Sequence, residues 1–281
     1  MRAIDVHVHV ATGDRAASAE DDGEAAARAH FSIERMRLSG DEIAEKYRRL
    51  KIWAVIFDVD TETTTGISIS NDEVAASARR HPDVLIGFGS VDPWKGDAAV
   101  REIERCTREL GLRGMKFEQT AQRFMPDDPR FFPIWETCSR LGIPVIFHTG
   151  MAGIGVNTPG GSGIRLKYAN PMPLDEVAAE FPELVIIGAH PSWPWQEEML
   201  AIARHKSNVY IDLSGWAPKY FPQSLVHYAN TLLQDKVLFG SDFPIIETER
   251  WLSEFEDLPI RDAVREKILK LNAARLLGIT P

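Results

Sequence analysis

Eight short apolar runs, each followed by a longer amphipathic stretch, repeat along this chain from one end to the other. The strand candidates are AIDVHV, WAVIFDV, LIGFGSV, LRGMKFE, PVIFH, LVIIGAH, VYIDLS and VLFGSD. Helical periodicity follows over 41–51, 71–81, 97–110, 130–142, 173–181, 194–206, 217–234 and 260–277. Strands that alternate with helices pair in parallel, and nearly continuous apolar strands need cover on both faces. Eight such units point to a closed (β/α)8 barrel rather than an open sheet, and 281 residues suit one barrel. No Gly-x-Gly-x-x-Gly follows the first strand, which argues against a dinucleotide-binding sheet. The expectation is a single α/β domain, a TIM barrel, over residues 1–281.

Local chemistry marks several boundaries. Asn71 is read as the cap of the second helix, with Val74, Ala75 and Ala78 on its buried side. Pro133 fits the opening turn of the fourth, while Gly142 and Pro144 end it, and Gly111 stops the third. Two connections are long, about 11–40 and about 150–171, and both leave the C-terminal ends of strands, where substrate lids belong. Plain surface insertion explains the first equally well. The second directly follows His148, which favours a lid.

Charge narrows the partners. Lys plus Arg is 32 against 41 for Asp plus Glu, a net charge of −9 with no basic block. A nucleic-acid binder neutralises phosphates, so this chain is expected to bind a small molecule instead. No apolar stretch is long enough to span a bilayer, and MRAIDVHVHV is too short and polar for a signal peptide. With only two cysteines, Cys106 and Cys138, no disulfide framework is implied, and the cytoplasm is the expected compartment.

His7 and His9 lie two apart on a strand, so both rings project to one side. His148 ends the fifth strand, His190 the sixth and Asp242 the eighth. In a barrel these ends meet at one rim, where imidazole and carboxylate donors form a metal site. The other histidines, His30, His81, His205 and His227, follow no strand.

These stretches carry a resemblance. DVHVH, GMKFEQTAQRFMPDDPRFFPIWE, GIPVIFHTG, FPELVIIGAHPSWPW, NVYIDLSGW, VLFGSDFP and NAARLLGI span essentially the whole chain. They resemble the amidohydrolase superfamily, in the amidohydrolase-related branch that includes aminocarboxymuconate semialdehyde decarboxylase and metal-dependent lactone hydrolases. The resemblance implies that His7, His9, His148 and Asp242 hold one divalent ion, most often zinc, with manganese, iron or cobalt as the other candidates. It also implies that His190 is catalytic and need not bind the ion directly, and that a homodimer is a possible assembly. Lys116 stands near the position of the carboxylated lysine of two-metal members, and is read here as a contact for a substrate anion. Glu118 on the same strand would complete a two-metal, deoxyribonuclease-like site, against which the acidic chain and the absent Gly-Glu-x-Gly signature argue.

The resulting expectation is a hydrolase. A metal-activated water attacks the carbonyl carbon of an ester, lactone or amide, and Asp242 passes the water's proton to the leaving group. Arg123 and Arg165 are candidates to hold a substrate carboxylate, although a solvated loop charge explains each equally well. Trp193, Trp195 and Trp216 are candidate walls for a ring-shaped substrate, and Asp212 is a candidate partner for a ligand histidine. The alternative is non-oxidative decarboxylation of an aromatic or unsaturated acid at the same metal site, with His190 delivering the proton. The bulky PSWPW after His190, where family decarboxylases carry glycine-rich sequence, places hydrolysis first.

Overall fold

The computed structural model describes residues 1–280. Eight parallel strands are present: β1 (Ala3–His9), β2 (Ile52–Phe57), β3 (Leu85–Gly87), β4 (Met115–Phe117), β5 (Val145–His148), β6 (Ile186–Ala189), β7 (Val209–Asp212) and β8 (Val237–Leu238). They form two arcs, β1 to β3 and β4 to β8. Single backbone bonds join the arcs into a closed barrel. At one seam the amides of Arg113 and Lys116 donate to the carbonyls of Gly87 and Gly89, at 2.9 and 2.8 Å. At the other, the amides of Val6, Asp242 and His9 donate to Phe239, His7 and Phe243, at 2.9, 3.0 and 2.9 Å.

One apolar cluster fills the lumen, with Ile4, Val6, Phe57, Phe88, Ile146 and Leu238 among its members. A larger one lies between the strands and the outer helices and takes the alternate positions, such as Ala3, Val8, Val145 and Phe147. Strict alternation along β1 would send His7 and His9 outward with Val8 inward, because Ile4 and Val6 face the lumen. The register with β2 instead shifts between Asp5 and Val8. That bulge turns Val8 out and aims both histidines into the mouth, which is how such irregularities re-aim side chains beside active sites. Asp5 faces outward and ties β1 to the turn after β8, accepting from the Ser241 amide at 2.9 Å and the Tyr47 hydroxyl at 2.7 Å.

The helices depart from the periodicity reading in places. Ser70, not Asn71, caps the helix Asn71–Arg80 through its bond to the Glu73 amide. Asn71 is buried within the first turn, where its Nδ2 reaches the Ser90 carbonyl and Glu102. The helix expected over 217–234 contracts to Gln223–Asn230, because Pro218 and Pro222 break its start. A helix Thr248–Glu256, unanticipated, buries Trp251, Leu252 and Phe255. The 11–40 connection contains the helix Asp22–Phe31, capped by Asp21. It meets the 150–171 loop above the barrel mouth, where Asn157 Nδ2 lies 3.0 Å from His30 Nδ1.

Trp135, on the helix Phe132–Leu141, is fully buried against Phe117 and Phe147 with ring centres at 5.0 and 4.8 Å. Trp135→Ala leaves a cavity between that helix and β4–β5, and is expected to cost about 3–5 kcal/mol. A denaturant midpoint unchanged from wild type would contradict the packing.

Candidate metal centre

His7 Nδ1 lies 3.0 Å from Asp212 Oδ2 and 3.0 Å from Ser214 Oγ, all three residues wholly buried. The carboxylate accepts the Nδ1 proton, which leaves the lone pair on Nε2, the nitrogen that faces Asp242 and Lys116. Asp212 is held in turn by the Ser214 amide at 2.9 Å and by the Ser214 hydroxyl. The expected role of Asp212 as partner of a ligand histidine therefore matches its contacts.

Three donors then converge. His7 Nε2 is 3.3 Å and His9 Nε2 3.0 Å from Asp242 Oδ1. That oxygen is buried and has no hydrogen-bond partner. A buried carboxylate oxygen left unpaired beside two imidazole nitrogens is costly unless something else satisfies it. Two imidazoles and one carboxylate fit a divalent transition-metal ion. Burial alone would raise the Asp242 carboxyl; the neighbouring His7, His9 and His190 rings hold it far below its usual range, so it is ionised and ready to bind a cation.

His148 does not join this trio. Its Nε2 faces the Gly150 carbonyl at 3.2 Å, while its Nδ1 lies 2.9 Å from Glu118 Oε2 and 3.1 Å from His190 Nε2. The structure places it in a chain Glu118–His148–His190 beside the trio. Burial would raise Glu118, but His148 and Lys116 draw its pKa down to about 2. His7, His190 and Asp212 also cluster, yet Ser214 Oγ bridges them, 2.9 Å from His190 Nδ1, so hydrogen bonds account for that group.

His190 has φ 75 and Asp242 φ 68, backbone conformations unusual for residues other than glycine. Strain of this kind persists where the surroundings over-determine it, commonly at functional sites. Burial lowers the His190 pKa to about 4, although Asp242 and Asp212 pull the other way. Gly215 backs the ring: a Cβ there would lie 2.5 Å from His190 Nδ1, at φ +72. Gly215→Ala is therefore expected to displace His190 and lower turnover at least tenfold while bound metal stays at the wild-type level. Unchanged turnover would contradict that contact.

Other expectations fall elsewhere. Lys116 is fully buried, with Nζ 3.4 Å from His7 Nε2 and 5.5 Å from the Phe57 ring centre. It is not among the residues that line the cavity, and its ammonium faces the His7 ring of the trio. Burial pushes its pKa down, against the pull of Glu118, Asp212 and Asp242. Arg123 and Arg165 are exposed and stand outside the cavity. Trp216 lines the cavity, whereas Trp193 is 47 % exposed and neither it nor Trp195 walls the site. The bulky wall read from PSWPW is absent from the cavity, and the reason for placing hydrolysis first goes with it.

Above the trio opens a cavity of about 370 Å³, with His9, Glu118, His148, His190 and Asp242 at its floor. Its upper part is lined by Arg15, Glu24 and Arg37 from the 11–40 connection, residues without any motif to single them out in the sequence.

Comparison with known proteins agrees with this geometry. The amidohydrolase family model matches residues 4–279. The chain belongs to the amidohydrolase family. It is therefore a member of an enzyme superfamily built on this barrel. This amidohydrolase is similar to 2-amino-3-carboxymuconate-6-semialdehyde decarboxylase of Dictyostelium discoideum, 26% identical over 75% of this chain and 66% of that protein's length. It is similar to gamma-resorcylate decarboxylase of Polaromonas sp., 24% identical over 75% of each chain. A dihydroxybenzoic acid decarboxylase of Polaromonas sp., solved with bound manganese and 2-nitroresorcinol, shares the fold at a TM-score of 0.69 and 21% identity, covering 98% of this chain and 96% of that one. Among the described residues no helix is long and apolar enough to cross a membrane.

Proposed function

We propose that this amidohydrolase-family chain is a metal-dependent, non-oxidative decarboxylase of an aromatic or unsaturated carboxylic acid. The observation that carries the reading is His190, a buried imidazole beside the trio of His7, His9 and Asp242, in a cavity whose upper wall is largely apolar. The decarboxylase relatives support it over hydrolysis. Manganese in a decarboxylase of the same fold favours that ion over the zinc first expected, and a mixed imidazole and carboxylate set accepts it.

A divalent cation on the trio supplies a Lewis acid that neutralises the oxygens of the bound acid. The residues of the chain do the rest. His190 Nε2 holds the proton and delivers it to the ring carbon that bears the carboxylate. The carbon–carbon bond then breaks, its electron pair returns to the ring, and carbon dioxide leaves; one proton is consumed for each product. Burial lowers the His190 pKa, so the ring is neutral near pH 7 and takes up a proton before passing it to carbon. His148 Nδ1, 3.1 Å from His190 Nε2 and 2.9 Å from the Glu118 carboxylate, offers a path along which a proton reaches His190. The apolar wall excludes water from the reacting carbon.

The test is incubation of manganese-loaded protein in deuterium oxide with hydroxybenzoates that include gamma-resorcylate. One carbon dioxide per product, with one deuterium at the vacated carbon, is expected. Consumption of an ester or lactone without release of carbon dioxide would replace this reading with hydrolysis.

A further inference from the structure

The cavity's arginines carry information about the substrate. Three guanidinium groups line it, from Arg15, Arg37 and Arg250, and no lysine does. Each is already engaged by a carboxylate of the chain. Arg15 Nη1 lies 3.1 Å from Glu24 Oε1 and its Nε 3.0 Å from Asp58 Oδ1. Arg37 pairs with the other oxygen of Glu24. Arg250 Nε lies 2.9 Å from Glu254 Oε1.

The terminal nitrogens of Arg15 and Arg37 are taken as well, whereas Arg250 is 51 % exposed at its side chain and is paired only through Nε. Arg15 Nη2 donates to the Val59 carbonyl and Thr61 Oγ1, and Arg37 Nη1 and Nη2 donate to the carbonyls of Arg15 and Ala19. Glu24 is 9 % exposed at its side chain, Arg37 13 % and Arg15 17 %, so these pairs are shielded from water and hold their geometry. Two arginines against Glu24 and Asp58 give a cluster without net charge. Around it the wall is apolar, made by Ala27, Phe31, Met36, Met151, Ile154 and Ile246.

A carboxylate brought beside Glu24 would lose its hydration and find Arg15 and Arg37 already paired, while Glu24 repels it. Glu24 lies on the helix Asp22–Phe31 of the long connection after β1, far in sequence from the metal trio. We infer that Glu24, by occupying Arg15 and Arg37, sets the charge class of the substrate: the cavity takes an acid with a single carboxylate, directed to the floor, whose remainder is uncharged and apolar, and it turns dicarboxylates away. The inference rests on the proposed reading that a carboxylate is held at the floor.

Calorimetric binding to the manganese-loaded protein tests it without requiring turnover, so an inactive protein still gives an answer. The probes are 3-ethylbenzoate and isophthalate, which differ by an apolar group against a second carboxylate. Wild type is expected to bind 3-ethylbenzoate at least tenfold more tightly. Glu24→Gln removes the carboxylate charge that both guanidinium groups face and is expected to tighten isophthalate at least tenfold while leaving 3-ethylbenzoate within threefold. Equal or tighter binding of isophthalate by wild type overturns the inference, as does a ratio unchanged in a Glu24→Gln variant that melts like wild type. Should that variant fail to fold, the wild-type ratio decides alone. Binding of neither acid also overturns it, even if the deuterium experiment succeeds.

Discussion

His190→Gln is expected to lower kcat about a thousandfold while the protein keeps its full complement of divalent metal. General acid groups commonly contribute about 10²–10⁴-fold to a rate, and His190 stands with His148 at the cavity floor beside the trio of His7, His9 and Asp242. Glutamine fills a similar volume and can keep a contact to Ser214, but it carries no proton that can be handed to carbon. Elemental analysis beside steady-state kinetics separates the roles. Loss of the metal would make His190 a ligand, and a rate within threefold of wild type would remove it from the chemistry.

The second large effect belongs to Asp242. Asp242→Ala deletes the one carboxylate of the trio and leaves His7 and His9 to hold the ion alone. Even residues that only orient a ligand alter metal affinity about 10–100-fold, so loss of a ligand itself is expected to cost at least that much. Treatment with a chelator should abolish turnover in wild type, and added manganese should restore it. Asp242→Ala should recover no activity at the same manganese concentration. Restoration of the variant to wild-type turnover would show that this carboxylate is dispensable and that the ion sits elsewhere.

Much of the fold was legible because it depends on local pattern. Each of the eight strand candidates overlaps an observed strand, since each is a short apolar run between turn residues. His7, His9, His190 and Asp242 could be found from their places at strand ends. The bulge in β1 could not be read, although without it His7 and His9 would face the outer helices. A bulge is a property of pairing with β2, and the strand's own sequence carries no mark of it. The helix Thr248–Glu256 falls between the eighth strand candidate and the helical stretch read at 260–277, and its buried Trp251, Leu252 and Phe255 are assigned to no element in the sequence reading.

Charged contacts were the least legible, for a physical reason. Arg123 and Arg165 follow strands, as a substrate contact should, yet they point to solvent. Arg15, Glu24 and Arg37 lie in an acidic, alanine-rich stretch that reads as surface, and only the folding of the long connection over the mouth makes them a wall. His148 ends β5 as expected, but its ring pairs with Glu118, and strand position alone does not give the direction of a ring. Hydrolysis and decarboxylation use the same donor set, so the choice between them depended on the cavity and the relatives.

The central claim is that the nitrogens of His7 and His9 and one oxygen of Asp242 surround a single divalent cation. Crystals grown with manganese, and diffraction recorded on both sides of its absorption edge, test this directly. The account predicts one anomalous peak within bonding distance of His7 Nε2, His9 Nε2 and Asp242 Oδ1. A peak on the Glu118–His148–His190 chain alone, or none at the barrel mouth with manganese in excess, would contradict it.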